Sequence, residues 1–207
     1  MPKHIRPSIA EIASIKRGNY ADALAFVLSD KVEGGFSDDP LDPGGPTNHG
    51  IALNEVLRAQ AAGELSSAMI QMLDVDGDGK ITVADVKAWK RATSEVYFEQ
   101  RYWALIHGYE LPAFLAMMTF DSAINEGVPT ATRHLQRTLG VEHDGIIGPE
   151  TLAAADRAAL NAVDREDAIV TMCGHRLERY RKLNRAERFF FGWSRRVVRV
   201  AIRSSAD

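Results

Sequence analysis

Eight residues separate Glu33 from Asp42, and Thr47 lies five positions further on. Glu33 ends an apolar-periodic stretch and is followed by Gly34 and Gly35. That placement suits a general acid. A packed helix anchors the backbone, and glycines leave room for a substrate chain to approach. A carboxyl held partly out of water has a raised pKa and stays protonated near neutrality. It can then give its proton to a glycosidic oxygen. Glycoside hydrolysis usually calls for a second carboxylate, which stabilises oxocarbenium-like charge or activates water. Asp38, Asp39 and Asp42 are the nearby choices. Asp42 can face Glu33 across the turn, with the Thr47 hydroxyl holding a water. The same residue types also admit a plainer role. Glu33 is then a solvated helix end, and the aspartates make Asx-turns among Pro40, Pro43, Pro46 and the Gly44–Gly45 pair.

Two later stretches carry further candidates. In "YFEQRYW", Tyr102 and Trp103 are either core aromatics or a sugar-stacking platform, with the tyrosine hydroxyl orienting water. In "FDSAINEG", Asp121 and Asn125 stand four apart and share a helix face. Asn125 can grip an N-acetyl group, or it can serve as a cap or internal hydrogen bond. Asp121 rivals Asp42 as the second carboxylate.

Residues 74–85, "DVDGDGKITVAD", follow the twelve-residue calcium-loop pattern. Asp74, Asp76 and Asp78 fill positions 1, 3 and 5, and Gly79 supplies the bend at position 6. Lys80 offers its backbone carbonyl, Ile81 packs, and Asp85 stands where glutamate is commoner. Only one such loop occurs, so a structural calcium site is expected rather than a sensor.

Helical periodicity predicts helices over 8–16, 19–32, 51–61, 64–73, 83–106, 112–126, 129–139, 149–160 and 164–183. Strand alternation is scarce, and the turn-rich segment predicts one small hairpin near 36–52. The expected fold is mainly α. A net charge of −3 gives no ground for a nucleic-acid partner. Cys173 is the single cysteine, so no intramolecular disulfide can form.

The stretch "EGGFSDDPLDPGGPTNHGI" resembles the signature of glycoside hydrolase family 108, whose members cut peptidoglycan. The likeness continues through "YFEQRYW", "FDSAINEG", "HLQRTLGVEHDGIIGPETL" and "FGWSRRV". It implies a lysozyme-like helical fold and assigns the catalytic acid to Glu33. The Glu33–Asp42 interval is also similar to that of phage-type lysozymes, while the Asp42–Thr47 interval is one residue shorter. The calcium loop, about 63–90, is expected as an insertion in a muramidase region spanning 1–127. Within residues 128–207, "LQRTLGVEHDGIIGPETLAAA" resembles a helical peptidoglycan-binding module packed on it; the segment can equally be the packing half of the same domain, without a ligand of its own.

From Arg176 to Arg203 there are ten Lys or Arg against two Glu. This is a solvated basic face, or one drawn to anionic wall polymers or membrane lipid. The expected activity is hydrolysis of the β-1,4 bond between N-acetylmuramic acid and N-acetylglucosamine. The alternatives are a lytic transglycosylase and a non-catalytic, calcium-dependent wall-binding protein. The N-terminus lacks a secretory h-region. Accumulation in the cytoplasm, release through a holin-type lesion, a phage or prophage origin and a monomeric state are therefore expected.

Overall fold

The computed structural model describes residues 7–29, 35–39, 44–184 and 186–206. The fold is mainly α. The described residues form eleven α-helices and one two-stranded antiparallel sheet. The chain divides into two compact units, one of residues 1–23 with 102–207, the other of residues 24–101. This division differs from the boundary expected at residue 127.

In the first unit, α1 (Ile9–Ala13) opens on a capping box. The Glu11 N–H donates to Ser8 Oγ, and the Ser8 N–H donates to the Glu11 carboxylate. Helix α7 (Ala113–Glu126) explains why the division ignores residue 127. Every residue from Ala113 to Ala123 is buried. A helix apolar on all sides must be enclosed. It packs on α8 (Val128–Leu139), α10 (Ala162–Arg181) and α11 (Ala186–Ser205), with α9 (Pro149–Ala159) against α8 and α10. Gly127, at φ +85°, ends α7, and left-handed Gly140 ends α8. The "RYW" aromatics belong to this core. Trp103 has no exposed surface and meets Tyr20, Tyr109 and Phe120 at ring separations of 5.6, 5.6 and 5.3 Å.

Helix α2 (Tyr20–Ser29) leads from one unit into the next. The second unit contains the β1 (Thr47–Asn48) and β2 (Ile51–Ala52) hairpin, within the segment expected to hold one. Helices α3 (Leu53–Ala61), α4 (Ser67–Leu73), α5 (Val83–Ala88) and α6 (Arg91–Phe98) follow. A π-helical turn, Glu99–Trp103, leads back to the first unit. The continuous helix expected over 83–106 is therefore broken. Trp89 is extended at ψ 140° and sends its indole N–H 2.8 Å to the Leu73 carbonyl. Burying that ring beside α4, with Trp89 only 2% exposed, outweighs continuing the helix.

Candidate functional site

Glu33 and Asp42 lie outside the described residues, as does Gly34. Their described flanks, however, are held firmly within the second unit. The hairpin turns on His49 and Gly50, both at positive φ (46° and 81°), as a two-residue loop of the hairpin-favoured kind. A Cβ on Gly50 would stand 3.1 Å from Leu28. Thr47 pairs with Ala52, and Ser37 adds a bridge on the other side. The Ser37 N–H donates to the Thr47 carbonyl and the Thr47 N–H donates to the Ser37 carbonyl, both at 2.8 Å. Lys87 sits 5.1 Å above the Phe36 ring.

The deepest anchor is Asn48, 4% exposed. Its side-chain N–H groups donate to the Val86 carbonyl at 2.8 Å and the Trp89 carbonyl at 3.2 Å. Ser94 Oγ donates to the His49 carbonyl at 2.7 Å. The turn-rich segment thus leans on α5 and α6. Asn48→Ala is expected to strand buried carbonyls and lower stability by about 1–3 kcal/mol, measurable by urea denaturation. An unchanged midpoint would show the anchor to be dispensable.

Thr47 Oγ1 donates to the Gly45 carbonyl at 2.9 Å. The hydroxyl shapes the turn and keeps acceptor lone pairs for a water. Asp38 and Asp39 are exposed.

Three candidates occupy different places from those expected. Asp121 has no exposed surface. Arg196 Nε donates to its Oδ1 at 2.7 Å, and Arg176 Nη2 lies 2.8 Å from its Oδ2. It is an internal counterion, closed to substrate, so its expected binding role and its claim as second carboxylate are corrected. Asn125 is exposed and sends one side-chain N–H to the Asp121 backbone carbonyl at 2.6 Å, an internal hydrogen bond within α7 that leaves its Oδ1 for other contacts. Tyr102 is only 6% exposed and offers no free face for a sugar ring to stack on.

Sequence patterns missed Glu126, the hub of this buried network. Arg176 Nε donates to its Oε1 at 2.9 Å, as do the hydroxyls of Tyr180 at 3.1 Å and Ser122 at 2.9 Å. His134 faces its Oε2 at 3.2 Å. Burial opposes ionisation of Glu126, yet the His134 and Ser122 hydrogen bonds and the Arg176 charge hold its carboxyl below the usual range. Burial pushes the Tyr180 hydroxyl up to about 12. The one hint in sequence was Ser122, one helical turn before Glu126. Arg176 lies 50 residues away.

The acidic loop between α4 and α5 gathers Asp74, Asp76 and Asp78, whose ligand oxygens lie within 4.8 Å of one another. Gly77 and Gly79 take positive φ of 72° and 84° at the bends. Ile81 and Val86 are buried behind the loop. Three converging hard oxygens and a glycine bend fit a calcium ion. Asp85 departs from the expected set. It is 1% exposed and accepts from the Val75 N–H at 2.7 Å and the Thr82 N–H at 2.8 Å. Burial opposes its ionisation, but those N–H groups and the Thr82 hydroxyl keep its pKa low. In this arrangement it caps α5 instead of joining the other three. The Lys80 N–H donates 2.8 Å to Asp78 Oδ1. Cys173 is part-buried, and burial pushes its thiol up, away from nucleophilic use.

Comparison with known proteins matches two successive segments of the chain. Residues 24–127 match the family described as "Glycosyl hydrolase 108". Residues 130–198 match the "Predicted Peptidoglycan domain". Among solved structures, SagA from Brucella abortus is 34% identical, with a TM-score of 0.70 over 91% of this chain and 96% of that one. No curated protein matches. The two matched segments together describe a glycosidase that degrades peptidoglycan and works at the cell wall, and the chain belongs to the glycosyl hydrolase 108 family.

Proposed function

We propose that the chain is an N-acetylmuramidase, hydrolysing the β-1,4 bond between N-acetylmuramic acid and N-acetylglucosamine and so lysing cells. The family match over residues 24–127, which contains Glu33, Gly34 and Gly35, carries this reading. Glu33 protonates the leaving oxygen. Asp42 stabilises the developing charge or activates water, since Asp121 is committed to Arg176 and Arg196. Thr47 positions the water from a hairpin fastened to α5 and α6. Among the described residues no helix is long and apolar enough to cross a membrane. An endolysin reaching the wall through a membrane lesion is the corresponding role.

A lytic transglycosylase would also use one acid, but would close the muramic ring internally. Mass spectrometry of digested sacculi separates the two. Reducing muramic ends are expected, whereas anhydromuramic ends would give the reaction to the transglycosylase.

The loop of Asp74, Asp76 and Asp78 is proposed to hold a structural calcium ion. Binding relieves repulsion among three converging carboxylates and ties α4 to α5. At calcium near 100 times the dissociation constant, the folded state should gain about 2.7 kcal/mol. At about 2–4 °C per kcal/mol, that is a rise in melting temperature of roughly 5–10 °C over chelator. Asp74→Asn should erase the difference. Equal midpoints for the parent chain in calcium and in chelator would rule out the ion's structural role.

A further inference from the structure

In the first unit a cavity of about 350 Å³ is lined by residues of α8 and α10. Arg133, Arg137, Arg179 and Lys182 line it against a single carboxylate, Glu178. Two imidazoles complete it. His134 and His175 lie nearly parallel, their centroids 6.3 Å apart and their planes 9° apart. His134 is 5% exposed, and its Nδ1 meets no protein partner. The Nε2 of His175 is also buried without one. Both residues line the cavity, and each keeps one buried ring nitrogen without a protein partner.

The lining acid does not neutralise this charge. Glu178 lies 3.7 Å from Arg137 and 2.7 Å from Lys182. Arg179 approaches Glu126 at 3.4 Å, but that buried carboxylate already pairs with Arg176. Arg133 also acts on Asp144. The surplus is positive, and guanidinium forks match carboxylates in pairs of hydrogen bonds. No Phe, Tyr or Trp lines the cavity, so it lacks the flat apolar faces on which sugar rings stack. Its lining falls wholly within residues 130–198, the segment matched to the peptidoglycan domain.

We infer that this cavity binds a carboxylate of the peptidoglycan peptide stem, so that the C-terminal segment grips the stem rather than the glycan. The inference rests on peptidoglycan as the partner, but not on Glu33 as the acid. Protonation accompanies it. Burial lowers the His175 pKa, with Arg137 and His134 adding to the effect and Glu178 opposing it. The charged and titratable groups that line the cavity with it are Glu178 and Arg179 from α10, Lys182 just after that helix, Arg133, His134 and Arg137 from α8, and His143 from the following loop. Glu126 pairs with His134 and Arg179. An incoming carboxylate favours the imidazolium, so the bound pKa exceeds the free one. Affinity then rises as pH falls through the histidine range.

Calorimetric titration of the full chain tests this with three probes: a free tetrapeptide stem, the same stem with amidated carboxyls, and peptide-free glycan strands. The free stem should bind at least tenfold more tightly than the amidated one, and more tightly at pH 6 than at pH 8. Arg137→Glu with Lys182→Glu changes two side chains that are 41% and 64% exposed, and should weaken stem binding at least tenfold. His175→Gln should remove the pH dependence. Equal affinity for both stems, or undiminished binding by the double variant, would overturn the proposal. So would tighter binding of inorganic polyphosphate than of the stem. Release of reducing ends from sacculi, followed in parallel, reports on Glu33. Its absence with stem binding intact would sink the muramidase and leave the cavity standing.

Discussion

Glu33→Gln is expected to slow the release of reducing ends from purified sacculi by about 10²–10⁴-fold, the usual contribution of a positioned general acid. Glutamine keeps the shape and the hydrogen-bonding reach but has no acidic proton to give to the leaving oxygen. The melting temperature should stay close to that of the parent chain, so the loss belongs to chemistry. The pH profile adds a second readout. The limb that falls on the alkaline side reports deprotonation of the acid, and it should vanish in the variant. Asp42→Asn should cost a comparable factor, whereas Asp38→Asn and Asp39→Asn should cost far less. Unchanged lysis by Glu33→Gln would leave a wall-binding protein without this catalyst. A deficit in Asp39→Asn equal to that expected of Asp42→Asn would move the second carboxylate.

The second large effect is on stability. Arg176 has no exposed surface and bridges Asp121 at 2.8 Å and Glu126 at 2.9 Å. Arg176→Met leaves two carboxylates in the core with a broken pairing. Removing one partner of a buried pair costs about 3–5 kcal/mol. At about 2–4 °C per kcal/mol, the midpoint should fall by roughly 6–20 °C. Asp121→Asn should destabilise for the converse reason, since Arg176 and Arg196 lose their counterion. Below its own midpoint it should still cleave sacculi at near the parent rate. A shift under about 2 °C for Arg176→Met would show that the core tolerates the loss. A collapse of cleavage in folded Asp121→Asn would restore Asp121 to the site.

Glu126 gives this network its pH dependence. Its carboxyl is held below the ordinary value of 4.5. The stabilisation is therefore present above the unfolded pKa and disappears as pH falls through the lower, folded one. Stability should fall progressively as pH drops from the ordinary glutamate value through the lower folded one, and Glu126→Gln should flatten that limb.

Local patterns carried much of the chain. The Gly-Pro punctuation marked the hairpin segment, and 3.6-residue periodicity found most helices, because both depend on neighbours in sequence. The spacing of Asp74, Asp76, Asp78 and Gly79 placed three carboxylates together for the same reason: a short loop can converge only in a few ways. The resemblance around Glu33 supplied the family. The fate of Asp85 was not legible, because whether its oxygens turn to the cluster or to the Thr82 N–H is settled by rotamer and burial.

Asp121 shows where sequence alone stops. Its four-residue interval to Asn125 was local and visible. Its burial was not, because that follows from α10 and α11 bringing Arg176 and Arg196 onto α7 from 55 and 75 residues away. The same long-range packing set His134 beside His175 and broke the helix at Trp89. Sequence by itself determined the helices, the acidic loop and the candidate acid. Tertiary structure decided which carboxylates face water and which are locked inside, because solvation and pairing belong to the surroundings and not to the residue.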